Sequence, residues 1–128
     1  MTNSSLGQLE LDVLKIIWDK QECTVPEAAE ILAEKRDYAK TTILTVIQRL
    51  YKKGFLTRVK RGGIFHYLPT QKKEAVLGNL AQQFIKSTFD GSLSGLVQNL
   101  TQTNLSAKEL TELRSIIDQA IQEGESNS

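Results

Sequence analysis

The sequence predicts a mainly α-helical chain with one small β-hairpin, and three observations support that reading. Apolar residues recur at i, i+3, i+4 and i+7 through most of its length, which is the period of an amphipathic helix. The rhythm breaks once, in "FLTRVKRGGIFHYLPT" at 55–70, where two short runs flank Gly62-Gly63. Cations crowd around that break: residues 35–73 hold eleven of the sixteen Lys and Arg against a single acid, Asp37. Residues 74–128 instead carry seven acids and three bases, so the net charge of +1 conceals a segregation. A basic block of that kind is a landing site for a polyanion, whereas the acidic remainder suits protein contacts.

Leu6, Leu9, Val13, Leu14, Ile17 and Trp18 define a first helix over about 6–19, with Trp18 in the core. "TVPE" at 24–27 is a capping box, with Pro26 in the first turn giving up a donor that would be orphaned anyway. The second helix it opens runs to about Lys35 and packs through Ala28, Ile31 and Leu32. In "AKTTILTVIQRLYKKG" at 39–54, Ile43, Val46, Ile47 and Leu50 bury one side of a third helix closed by Gly54. Thr42, Thr45, Arg49 and Lys52 line up on its other side. A solvated face usually alternates charge signs to gain i,i+4 pairs, but this one has threonines and cations and no carboxylate. A ribbon follows, Leu56–Arg61 and Ile64–Leu68, turning at Gly62-Gly63 where positive φ angles are tolerated and stopping at Pro69.

From Lys72 the chain returns to helices. Their stripes are Val76, Leu77, Leu80, Phe84 and Ile85; then Leu93, Leu96, Val97 and Leu100; then Leu110, Leu113, Ile116, Ile117, Ala120 and Ile121. "SAKE" at 106–109 is a second capping box, and "TQTNL" at 101–105 reads as a polar connection before it.

Three helices followed by a charged hairpin make the winged variant of the helix-turn-helix, whose third helix enters the DNA major groove. Thr41, Thr42 and Thr45 would then offer hydroxyls to base edges and methyls to thymine. Lys40, Arg49 and Lys52 would hold phosphates from the helix, and Lys60 and Arg61 from the wing. Residues 1–70 are expected to form this DNA-binding domain and residues 71–128 a helical dimerisation region. A segment of that size is marginal as an isolated core, so a second copy is expected to cover Leu77, Leu80, Phe84, Leu96, Leu110, Leu113, Ile117 and Ile121.

"LGQLELDVLKIIWDK", "KTTILTVIQRLYKKGFLTRVKRGGIFHYLP" and "DGSLSGLVQNL" together resemble the penicillinase and methicillin-resistance repressor family, the BlaI/MecI/CopY group, over nearly the whole chain. The resemblance implies a homodimeric winged-helix repressor on a palindromic double-stranded DNA operator. It further implies inactivation by cleavage between the last two helices when a membrane receptor-protease is induced. The family's cleavage position, between an asparagine and a phenylalanine, corresponds to Asn99-Leu100, where leucine replaces the aromatic residue. The paired Cys-x-Cys motifs of the copper-responsive branch are absent, which excludes copper sensing through them.

Other classes fit less well. Cys23 is the only cysteine and His66 the only histidine, which leaves no intramolecular disulfide and no soft-ligand set for zinc or copper. With no glycine-rich phosphate loop and no partner to orient a Cys23–His66 pair, neither catalysis nor a cofactor is expected. The longest apolar run is a few residues, such as "IIW" at 16–18, so no membrane insertion is expected, and a cytoplasmic location is. The remaining alternative is a winged helix used as a protein-protein interaction module without sequence-specific DNA binding. The cation clustering in 35–73 argues against it.

Overall fold

The structure, a computed structural model, describes residues 6–126. Its elements are α1 (Gln8–Lys20), α2 (Val25–Ala33), α3 (Lys40–Lys52), β1 (Leu56–Arg61), β2 (Ile64–Pro69), α4 (Lys73–Thr88), α5 (Leu93–Thr103) and α6 (Ala107–Ser126). They fall into two compact units, Met1–Leu80 and Ala81–Ser128.

In the first unit α1, α2 and α3 turn their apolar stripes inward. Leu14, Ile17, Ile43, Ile47 and Leu50 are fully buried, and Leu32 and Trp18 close the space beside them. The Trp18 indole N–H donates to the Gln71 carbonyl at 3.0 Å, so its one polar atom is satisfied within the core. Thr24 and Glu27 form the expected reciprocal cap on α2, at 3.3 and 2.8 Å. That helix stops at Ala33, two residues short of the sequence expectation.

The hairpin pairs antiparallel from Leu56↔Pro69 to Arg61↔Ile64. Gly62 and Gly63 have φ of +57° and +79°, the left-handed pair that a two-residue turn needs to match strand twist. Leu56 and Tyr67 reach into the core, and Val76 of α4 joins the same buried cluster. The sequence gives no hint of one further tie. Cys23 and Tyr67 exchange backbone hydrogen bonds of 3.0 and 2.8 Å, which fastens β2 to the turn between α1 and α2.

In the second unit, none of the described residues is buried. Ser106 and Glu109 cap α6 reciprocally at 3.0 and 3.1 Å, as their spacing predicts. The reading of 101–105 as a polar connection is overturned. α5 continues through Thr103, the Asn104 N–H still donates to the Leu100 carbonyl at 3.0 Å, and only residues 104–106 connect the helices. Thr101 turns its hydroxyl back to the Gln98 carbonyl at 3.2 Å, so polar composition here marks an exposed helix face. Asn99-Leu100 therefore lies inside a helix.

Candidate nucleic-acid interface

With about 100° between successive residues of a helix, Thr41, Thr45, Gln48 and Lys52 stand opposite the core-facing side of α3. Thr42 and Arg49 lie on one flank of that row, Leu44 and Tyr51 on the other, and Lys40 opens the helix; all are exposed. The Thr45 hydroxyl donates to the Thr41 carbonyl at 2.9 Å. Its remaining capacity toward a base is the acceptor lone pairs of the oxygen and a methyl group. Gln48 was not among the residues expected from sequence. The buried side of α3 is the one expected from sequence, so a helical wheel drawn about Ile43, Val46, Ile47 and Leu50 is the signal that places Gln48 in the middle of the exposed row.

Lys53 follows Lys52 but serves the fold. Its ammonium lies 3.0 and 2.9 Å from the two oxygens of Glu10, a carboxylate of α1 that is only 5 % exposed. Burial alone would raise the Glu10 pKa. The Gly7 N–H, 2.8 Å away, together with Lys53 outweighs burial and holds it below the ordinary carboxylate value.

On the wing, Lys60 is exposed, with its ammonium 5.3 Å from the Phe65 ring centroid. Arg61 is exposed too, but it pairs with Glu22 at 3.0 Å, and the second Glu22 oxygen lies 3.0 Å from His66 Nδ1. A phosphate would have to compete with Glu22 for Arg61. The guanidinium of Arg58, also missed in the sequence, packs on Tyr51 of α3 and Phe65 of β2. Strand alternation could have signalled this contact. The turn at Gly62-Gly63 sets Arg58 opposite Tyr67 and Lys60 opposite Phe65, so cations and rings share one face.

Cys23 is fully buried, and burial, reinforced by Glu27, pushes its pKa up to about 11. It is a neutral packed thiol, not a nucleophile.

Of the apolar residues expected to meet a second copy, Leu77 is half-buried and Leu80 packs on the core of the first unit. Leu96 and Leu113 are half-buried, while Phe84, Leu110, Ile117 and Ile121 are exposed, Ile121 to 54 %. Asn99 is exposed and Leu100 half-buried on α5.

The three-helix unit, its hairpin wing and the carboxylate-free outer row of α3 define a winged-helix DNA-binding protein. The family model described as Penicillinase repressor matches residues 6–119. The methicillin resistance regulatory protein MecI of Mammaliicoccus sciuri is 33% identical over 114 residues, which cover 88% of this chain and 93% of that protein. Among solved structures, the DNA-binding domain of the repressor BlaI is 31% identical and superposes with a TM-score of 0.51, covering 57% of this chain and 90% of that domain. MarR from E. coli in its oxidised form, 20% identical with a TM-score of 0.53 over 91% of this chain and 76% of its own, shares the fold. The chain belongs to the penicillinase repressor family and is a DNA-binding transcriptional repressor, not an enzyme.

Proposed function

We propose that the protein represses transcription as a homodimer on a palindromic operator, and that proteolysis at Asn99-Leu100 relieves the repression. The observation that carries this reading is the outer row of α3, where exposed Thr41, Thr45, Gln48 and Lys52 stand without a carboxylate among them. Thr41, Thr42 and Thr45 read base edges, Lys40, Arg49 and Lys52 hold phosphates, and Lys60 and Arg61 grip the backbone from the wing. Exposed Phe84, Leu110, Ile117 and Ile121 support assignment of the chain beyond the wing to dimerisation. Among the described residues no helix is long and apolar enough to cross a membrane. The repressor acts in the cytoplasm, and a membrane receptor-protease delivers the inducing signal.

Binding measured on a duplex selected from a random library tests the reading. With roughly 6–10 phosphates neutralised, affinity should fall by about three to five decades between about 50 and 200 mM salt. Binding that ignores salt, or that does not distinguish the selected duplex from random DNA, would overturn it.

A further inference from the structure

The contact that joins the wing to the third helix has the makings of a binding site. The Arg58 guanidinium carbon lies 4.2 Å from the centroid of the Tyr51 ring and 4.1 Å from that of Phe65. Tyr51 belongs to α3 and Phe65 to β2, so helix and wing grip the same cation. Buried Tyr67 braces both rings, with centroids 6.4 Å from each. At such spacings both rings lie in cation–π contact with the guanidinium, a contact that uses none of its five N–H donors in a conventional hydrogen bond.

Among the described residues those donors meet no hydrogen-bond acceptor and no carboxylate. No buried side-chain nitrogen or oxygen among those residues lacks a partner, so the Arg58 nitrogens reach solvent. Glu22, which engages the wing, does so through Arg61 and His66, and strand alternation puts these on the other face. On the Arg58 face the neighbouring charge is Lys60, a second cation over the same Phe65 ring.

A planar fork held by two rings, with its N–H donors unpaired and reaching solvent, matches two oxygens of one phosphate. We propose that Arg58 is a pre-organised clamp for one DNA backbone phosphate at the junction of α3 and the wing. The clamp rests on the DNA-binding role proposed above. An ordinary surface arginine must immobilise a flexible stem when it binds, whereas the two rings have already immobilised this one. Tyr51 and Phe65 are positioning residues for it.

The test uses the full chain, the duplex selected by the wild type, and copies of that duplex in which single phosphates are replaced by uncharged methylphosphonates. Arg58→Met should weaken binding roughly ten- to hundredfold for each copy bound. It should also make the slope of log affinity against log salt shallower by about 0.9 per copy. One methylphosphonate position should weaken the wild type and leave Arg58→Met unaffected. Phe65→Leu retains every charge and should weaken binding while the salt slope stays that of the wild type. Arg58→Lys should retain the slope and lose part of the affinity, which covers the case of a poorly folded methionine variant. A wild-type slope in Arg58→Met, or additive losses at every methylphosphonate position, would show that Arg58 only braces the wing. A wild type that selects no duplex would instead refute the proposed function.

Discussion

Glu10 shows how a single residue can take a neighbour out of the DNA surface. Its carboxylate, 5 % exposed, receives Lys53 at 2.9 Å and the Gly7 N–H at 2.8 Å, and its pKa lies below the ordinary value. A folded-state pKa below the unfolded one contributes stability that is complete above the ordinary carboxylate range and is lost as pH falls through the folded value. Glu10→Gln should therefore cost about 1–3 kcal/mol at neutral pH, with Lys53 still partly solvated. The difference from wild type should shrink below about pH 4. Urea unfolding at both pH values measures it, and a constant difference would detach the pair from acid sensitivity. On α3, Thr42→Ala and Thr45→Ala should reduce discrimination between operator and random DNA by roughly 1–3 kcal/mol each, while Lys52→Ala weakens both alike. Thr45 has already committed its hydroxyl proton to Thr41, so Thr45→Val, which keeps a methyl, should lose less than Thr45→Ala. Titrations on the two kinds of duplex would show equal losses if the threonines read nothing.

At the scale of elements, the position of Asn99-Leu100 inside α5 changes what a protease must do. The bond is followed by helix through Thr103, and proteases bind extended chain, so the last turn of α5 has to unwind before cleavage. Gln102→Gly, which weakens that turn by about 1 kcal/mol, should speed cutting at this bond, and Thr101→Ala should slow it. Mass-resolved proteolysis reads both, and equal rates would mean that opening is not limiting. Cleavage leaves the first unit with its own core, since among the described residues every buried apolar one lies at or before Val76. A chain ending at Asn99 should thus fold, sediment as a monomer, and bind operator about 10²–10⁴-fold more weakly through lost avidity. Unchanged operator affinity would show that repression is released by another route.

For the whole molecule, the contrast between the units is one of coverage. The first buries its stripes within one chain, whereas in the second Leu93, Ile116, Ile117 and Ile121 remain 45 % or more exposed. Large apolar side chains left this exposed are costly in water and call for a partner surface. The full chain should sediment as a dimer at micromolar concentration, and Ile117→Glu combined with Ile121→Glu should make it monomeric without unfolding residues 1–80. A double variant that stays dimeric would place the dimer contact elsewhere. Two recognition helices carried by such a dimer would meet half-sites about one helical turn apart or a multiple of it.

The sequence alone determined whatever depends on local period and local chemistry. Apolar spacing identified the three core helices, Thr24 with Glu27 and Ser106 with Glu109 marked two helix starts, and Gly62-Gly63 located the hairpin turn. Each of these signals acts over a few residues of backbone, so no distant partner is needed to decide it. The same logic marked the threonine-and-cation face of α3. It failed at 101–105, because a polar helix face and a polar loop have similar composition, and only hydrogen bonding distinguishes them. Tertiary structure decided the contacts between residues far apart in the chain. It diverted Lys53 to Glu10 and Arg61 to Glu22, fastened Cys23 to Tyr67, and set Arg58 against Tyr51 and Phe65. Those pairings depend on where folding brings two side chains together, and no periodicity within one segment encodes that distance.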